Sequence, residues 1–183
     1  ITFKASDGIS IASALSTFNL NFRIENSNFT RMLIKAAGNN GTNTDINDAS
    51  SSSHTVTTAA SVTAQSFSPH HPGGYSTEFD GYMSVPSHAD FGFGTGDFTI
   101  EFWHYPLTVA TASVIDYRTG SNGNQPVPII WFNGNGYYYY YVNGSTRISG
   151  NTGDVKANQW YHVAISRVSG STKMFVNGQQ AGN

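Results

Sequence analysis

Short runs of alternating side chains constrain the fold of this chain more than any other feature of its sequence. In the segment 98–105 (FTIEFWHY), Phe and Ile occupy even positions, which in an extended strand share one face. The segments 160–167 and 173–176 alternate in the same way and end in polar or Asn-Gly turns. Period-two runs rich in aromatic and β-branched residues predict strands, and no segment from Arg31 onward has a convincing helical period. The sequence therefore predicts an all-β sandwich or barrel built from many short strands.

Composition narrows the classes of function. A chain of 183 residues suits one domain plus a short extension. Charged residues make up only 11%, a low value that is typical of extracellular or virion-surface β proteins. The net charge of -2 gives no electrostatic footprint for nucleic acid, and no apolar run is long enough to insert into a membrane. There are 0 cysteines, which excludes disulfides.

Two segments carry a resemblance to a known family. They are 75–106 (YSTEFDGYMSVPSHADFGFGTGDFTIEFWHYP) and 158–178 (NQWYHVAISRVSGSTKMFVNG). Together they resemble the laminin-G-like, concanavalin-A-like jelly-roll domains, especially those in structural virion proteins of tailed phages and of cyanophages in particular. The resemblance implies a two-sheet antiparallel jelly-roll sandwich. It also implies a virion as the location, with a secreted or cell-surface protein as the alternative.

The chain divides into an N-terminal segment and one domain. Residues 1–30 are interpreted as a leader that packs locally or as a docking arm. Residues 31–183 are interpreted as the jelly-roll domain. In the family, further strands follow a turn like FVNG, so we expect the domain to be incomplete at its C-terminal end. We also expect the sheet edge beside residues 173–176 to be completed by residues after Asn183 or by another chain, because an unpaired edge promotes aggregation.

Candidate metal ligands are few and lack the spacing of a complete site. Calcium needs several oxygen ligands, and some laminin-G-like domains bind it at strand ends and turns. The aspartates in such predicted positions are Asp80, Asp90, Asp97, Asp116 and Asp154, of which Asp80, Asp97 and Asp116 are the calcium candidates. The favoured interpretation is that they cap turns, as expected also for Asp48 and Ser50. The adjacent His70 and His71 point apart in extended chain, so we assign no metal to them.

The acidic residues do not form the pattern that glycoside hydrolysis requires. That reaction needs two carboxylates, about 5–10 Å apart, on either side of the scissile bond. The strand 98–105 holds only Glu101, and although Glu78 and Asp80 alternate, no third acid follows in phase. No nucleophile elbow is present either. The sequence therefore predicts that the domain is not an enzyme.

The most unusual segment for recognition is 128–142 (PIIWFNGNGYYYYYV), which predicts a hairpin with its turn near residues 133–136. Odd-numbered and even-numbered tyrosines must lie on opposite faces of its second strand, so one set faces the core and the other faces outward. Tyrosine joins a large contact area to a polar tip, which suits both glycans and protein interfaces. The candidate contact residues are Trp131, Tyr137, Tyr138, Tyr139, Tyr140 and Tyr141. The other tryptophans, Trp103 and Trp160, lie in the family's strands and are interpreted as structural.

Two functions remain open. The first is a non-enzymatic structural or interaction domain of a phage virion, in a tail fibre, a tail attachment or a capsid decoration. Its partners would be other virion proteins or copies of itself in a homo-oligomer, with a host-surface glycan as a further candidate. The alternative is a glycan-binding, lectin-like adhesin module of a phage or a secreted bacterial protein. A protein-covered outer sheet face favours the first, and an open aromatic groove favours the second.

Overall fold

The computed structural model describes residues 28–37, 41, 45–68 and 74–182. Its N-terminal part forms three small antiparallel sheets of two strands each, which pair β1 with β2, β3 with β6 and β4 with β5. These strands are β1 (Ile34–Ala36), β2 (Ile46–Asp48), β3 (Thr57–Thr58), β4 (Val62–Gln65), β5 (Ser76–Phe79) and β6 (Met83–Ser84). Within the described ranges no helix is long and apolar enough to cross a membrane.

Two four-stranded antiparallel sheets form the main body. A single turn of 3-10 helix (Ala89–Phe91) leads into it. Its strands are β7 (Phe98–His104), β8 (Ala112–Asp116), β9 (Ile129–Asn133), β10 (Tyr137–Val142), β11 (Ser145–Ser149), β12 (Tyr161–Val168), β13 (Ser171–Val176) and β14 (Gln179–Ala181). Sheet A has the strand order β11-β10-β9-β8, and sheet B has the order β14-β13-β12-β7. The predicted all-β, two-sheet antiparallel sandwich is confirmed.

The main core lies between the two sheets because each strand buries alternate side chains. Sheet A contributes Ile130 and Phe132, while sheet B contributes Val163, Ile165 and Met174, all at most 3% exposed. The remaining buried members of this cluster are Ile100, Tyr138, Tyr140, Ile148, Val155, Tyr161 and Ala181. This is the packing that a period-two pattern predicts for two sheets that face each other.

The N-terminal sheets enclose a smaller core of their own, built on Ile46, Val62 and Ala64. Asp48 organises the loop beside it. Its Oδ1 accepts hydrogen bonds from the backbone N–H groups of Leu33 and Ser50, and its Oδ2 accepts from the Ser50 hydroxyl and the His54 N–H. The predicted turn-forming role of Asp48 and Ser50 is confirmed.

The expectation that residues after Asn183 or another chain complete the sheet edge beside residues 173–176 is wrong for residues 174–176. β14 pairs antiparallel with β13 over Met174 to Val176, directly after the turn. Asn177 and Gly178 both adopt left-handed backbone angles, with φ of 50° and 77°. Two consecutive residues with positive φ form the tight turn that sends a strand back along its neighbour. The predicted leader lies outside the described residues apart from 28–30.

Candidate functional site

The tyrosine run occupies β10, which lies between β9 and β11 in sheet A. Tyr138 and Tyr140 are buried in the core, at 1% and 6% exposure, whereas Tyr137, Tyr139 and Tyr141 face outward and are half-buried. The alternation follows from the pleat of the strand. Tyr138 and Tyr140 were among the candidate contact residues, and that prediction is wrong, because core packing leaves them no surface for a partner.

The inward tyrosines have a structural role. The Tyr138 hydroxyl is hydrogen-bonded to Nδ1 of His104 over 2.7 Å, which satisfies both polar groups inside the sandwich. Burial lowers the pKa of His104 to about 4 and raises the pKa of Tyr138. Both side chains are therefore uncharged at neutral pH.

The outward residues of β9 and β10 form a continuous row, here called the outer aromatic face and defined as Trp131, Tyr137, Tyr139 and Tyr141. Trp131 lies directly opposite Tyr139 across the strand pair, with ring centroids 6.1 Å apart and planes inclined by only 8°. The rings of Tyr137 and Tyr139 are 6.3 Å apart. Burial and the two flanking tyrosines raise the pKa of Tyr139, so its hydroxyl stays protonated and can donate a hydrogen bond.

Polar residues border this face. Asn133 lies opposite Tyr137, Ser149 lies opposite Tyr139, and Ser113 lies opposite Trp131. Aromatic rings bordered by hydroxyl and amide groups can stack on a sugar ring while the polar groups form hydrogen bonds with its hydroxyls, or can pack against side chains of a protein partner.

One end of the outer aromatic face is closed. Tyr141 lies opposite Ile129, which is only 2% exposed although it belongs to the outward register. The loop before β9 is fixed to the β10–β11 turn by two backbone hydrogen bonds, from Asn143 N–H to the Gln125 carbonyl and from Gly144 N–H to the Gly123 carbonyl. The accessible part of the face is therefore the end that holds Tyr137, Tyr139 and Trp131.

The calcium candidates lie in separate places with separate partners. Arg118 donates to both carboxylate oxygens of Asp116, at 3.0 Å and 2.7 Å. Asp97 accepts the backbone N–H of Ser169, and Asp80 lies in an exposed turn after β5. Within the described residues, none of the three belongs to a group of three His, Asp or Glu side chains that could share a metal ion. Calcium stays the weaker alternative to the prediction of no bound metal, and the contacts observed for Asp97 and Asp116 are those of turn and ion-pair residues.

The acids considered for catalysis are also separated by the fold. Glu78 lies exposed on β5 in a small N-terminal sheet, with Asp80 in the turn that follows. Glu101 lies on the outward face of β7, with its Oε2 3.4 Å from His162 Nε2. The ionisable group in contact with Glu101 is therefore the imidazole of His162.

One cluster, formed by His54, His88 and Asp90, was not predicted from the sequence. The Asp90 Oδ2 atom lies 3.1 Å from His54 Nε2, 3.4 Å from His88 Nδ1 and 2.8 Å from the Ser52 hydroxyl, which donates to it. Only the nearness of His88 to Asp90 in the chain could have indicated the cluster, since His54 lies 36 residues before Asp90. The predicted His70–His71 pair falls outside the described residues.

This cluster is not arranged as a hydrolase triad. A serine nucleophile needs its hydroxyl hydrogen-bonded to an imidazole base that a carboxylate orients. Here the Ser52 hydroxyl donates to Asp90, and His54 contacts the same carboxylate oxygen. The carboxylate therefore lies between the serine and the imidazole, so the hydroxyl is not activated.

Comparison with known families agrees with the fold. The Laminin_G_3 family model, described as the concanavalin A-like lectin/glucanases superfamily, matches residues 76–183. No curated protein and no solved structure matches the chain significantly. The matched segment comprises β5 to β14, which includes both large sheets and the outer aromatic face. The chain belongs to the concanavalin A-like lectin/glucanases superfamily.

Proposed function

We propose that this chain is a non-enzymatic interaction domain of a phage virion, in a tail fibre, a tail attachment or a capsid decoration. Membership of its superfamily supports a carbohydrate-binding or interaction module in general terms. The virion setting is supported by the resemblance of segments 75–106 and 158–178 to virion domains. The outer aromatic face is the proposed surface for neighbouring virion proteins or for a second copy of the chain.

One observation supports the proposal most strongly, namely the row of four aromatic residues on the face of sheet A that points away from the core. Tyr138 and Tyr140 already supply the inward face of β10. The outward aromatic residues add nothing to that core, yet they are ordered against one another, with Trp131 and Tyr139 nearly parallel. Tyrosine and tryptophan are the residues that most often anchor protein interfaces, because each removes a large area from water at a small entropic cost.

The proposal is tested by truncating one residue of the face and a matched tyrosine elsewhere. Tyr139→Ala should weaken self-association or binding to a virion partner by about 5- to 30-fold, as expected for an interface anchor worth about 1–2 kcal/mol. Tyr82→Ala is the control, because Tyr82 is 72% exposed and lies between β5 and β6, which are not strands of sheet A. Sedimentation analysis of the native assembly measures both. Equal affinity in the two variants would contradict the proposed surface.

Glycan binding is the second candidate, favoured by the nearly parallel rings of Trp131 and Tyr139 and by Asn133 and Ser149 beside them. A flat aromatic platform with polar neighbours is suited to stack on the apolar face of a sugar ring. Calorimetry with bacterial surface polysaccharide distinguishes the two functions. A glycan-binding domain should lose heat of binding with Trp131→Ala while its assembly is unchanged, whereas an assembly domain should show the reverse.

A further inference from the structure

Two histidines and one aspartate meet at the junction between the N-terminal sheets and the main sandwich. His54 belongs to the loop before β3, while His88 and Asp90 belong to the 3-10 turn that precedes β7. One ligand atom from each of the three lies within 4.8 Å of the others. The cluster is distinct from the outer aromatic face, so it requires a separate explanation.

Two of the three distances between the ligand atoms are close to those of a small tetrahedral metal site, and the third is within 4.8 Å. Zinc bonds of about 2.0–2.1 Å to nitrogen and oxygen place neighbouring ligand atoms about 3.3–3.4 Å apart. Asp90 Oδ2 lies 3.1 Å from His54 Nε2 and 3.4 Å from His88 Nδ1, so two edges of such a site are already present. Three protein ligands would leave the fourth position to water, on the side where His88 is 52% exposed.

The donor set selects the kind of ion. Two imidazole nitrogens and one carboxylate oxygen suit borderline ions such as Zn²⁺, whereas Ca²⁺ and Mg²⁺ prefer sets composed of oxygen. We propose that His54, His88 and Asp90 form a binding site for a divalent transition-metal ion of the Zn²⁺ class. The bound ion would fix the loop before β3 to the turn before β7.

The surroundings hold the ligands in place before an ion arrives. The His54 side chain is only 9% exposed and packs against the rings of His88 and Phe91, with centroids 4.7 Å and 4.8 Å away. The Ser52 hydroxyl orients the Asp90 carboxylate, as outer-shell hydrogen bonds do in metal sites. This bond is also the main reason that the pKa of Asp90 is lowered, which keeps the carboxylate ionised.

Metal binding would replace existing hydrogen bonds rather than fill a preformed cage. The ion would separate Asp90 Oδ2 from His54 Nε2, and the proton of the neutral His54 ring would then lie on Nδ1. His88 Nδ1 accepts the backbone N–H of Asp90 at 3.1 Å, and it would have to release that donor. These changes need only small side-chain movements, because His88 is half exposed.

Isothermal titration calorimetry of the metal-free chain with Zn²⁺ tests the proposal. We expect one ion per chain, a rise in the melting temperature with Zn²⁺, and no comparable response to Ca²⁺ or Mg²⁺. His88→Ala should weaken Zn²⁺ binding by about a hundredfold or more, because removing a direct ligand should cost at least as much as the roughly 10–100-fold that loss of an outer-shell partner costs. His162→Ala is the matched control, since His162 also lies 3.4 Å from a carboxylate but its ring packs against Trp103 rather than a second histidine.

The adjacent histidines His70 and His71 supply a further comparison. A His70→Ala, His71→Ala double variant should keep its Zn²⁺ affinity. Circular dichroism establishes that each variant is folded, and Asp90→Asn replaces His88→Ala if the latter is not. Absence of Zn²⁺ binding by the native chain would overturn the proposal. So would binding that survives both His88→Ala and Asp90→Asn, or binding that is lost with the His70 and His71 pair.

Discussion

At the residue scale, neighbouring side chains of β10 lie on opposite faces of sheet A. Tyr138 is 1% exposed and hydrogen-bonded to His104, whereas Tyr139 faces outward against Trp131. The sequence predicted this alternation, because a strand has a side-chain period of two. It did not predict the choice of face or the His104 contact, since a buried histidine finds its partner across the sandwich and leaves no local pattern.

His104 should make stability depend on pH. Its pKa is lowered by burial from 6.5 to about 4, so the unfolded state binds a proton in this interval that the folded state does not. Stability should therefore fall as the pH decreases from 6.5 to about 4, by up to about 3 kcal/mol. Urea unfolding across this range measures the slope. A His104→Phe, Tyr138→Phe variant removes both polar partners, and a slope that persists in it would exclude His104 as the source.

Asp48 should be the most important carboxylate for folding of the N-terminal part. Burial alone would raise its pKa, but hydrogen bonds from Leu33, Ser50 and His54 outweigh burial and lower it. Asp48→Asn turns an amide NH₂ towards those donors, and leaving them unsatisfied should cost about 1–3 kcal/mol. Chemical denaturation measures the loss, with the exposed Asp80→Asn as the control at about 0.5 kcal/mol or less. Equal effects in the two variants would show that the hydrogen bonds to Asp48 contribute little.

At the element scale, the sequence predicted only part of the β13–β14 hairpin. The Asn177–Gly178 pair indicated the end of a strand, and the structure adds a three-residue return strand, Gln179–Ala181. Such a short polar strand has no hydrophobic alternation of its own, and its pairing depends on the geometry of the turn. The same limit applies to β3, which has only two residues.

The turn geometry gives a direct test. Gly178 has a φ of 77°, and a Cβ added to it would meet no atom within 4 Å, so Gly178→Ala is opposed only by the backbone conformation. We expect a loss of about 1–2 kcal/mol in the free energy of unfolding. Gly96→Ala is the matched control, because Gly96 is equally open and its φ is not in the left-handed region. If both variants unfold at the same denaturant concentration, the hairpin does not stabilise sheet B.

The two faces of β10 should separate folding from recognition. Truncating Tyr138 and Tyr140 together to Ala removes two core rings, and large-to-small core changes of this kind cost about 3–5 kcal/mol each, which should unfold the domain. Truncating Tyr137 and Tyr139 together should leave the domain folded but weaken assembly or adhesion. Thermal melts and binding assays on both double variants measure this. If the Tyr137 and Tyr139 double variant is folded and its assembly and adhesion are unchanged, the tyrosine run serves only to favour a strand and is not a contact surface.

At the scale of the whole molecule, contacts between distant segments show what holds a motif in place, whereas the sequence shows only that the motif is present. The FGFGTGDFT loop is held by Arg167 of β12, which donates to the carbonyls of Phe93, Gly94 and Gly96 and lies over the Phe98 ring at 4.7 Å. The segments around this loop predicted the sandwich because each strand can be recognised from the alternation of its own side chains. The loop anchor and the His54–His88–Asp90 cluster join distant segments, so neither could be predicted from spacing.

The central claim is that the outer aromatic face is the contact surface, and tyrosine nitration read by mass spectrometry tests it most directly. In the isolated domain, Tyr137, Tyr139 and the exposed Tyr82 should be modified, while Tyr138 and Tyr140 should not. In the native assembly, or with saturating glycan, Tyr137 and Tyr139 should become protected while Tyr82 stays reactive. Equal modification of Tyr137 and Tyr139 in the isolated domain and under both binding conditions would contradict the account.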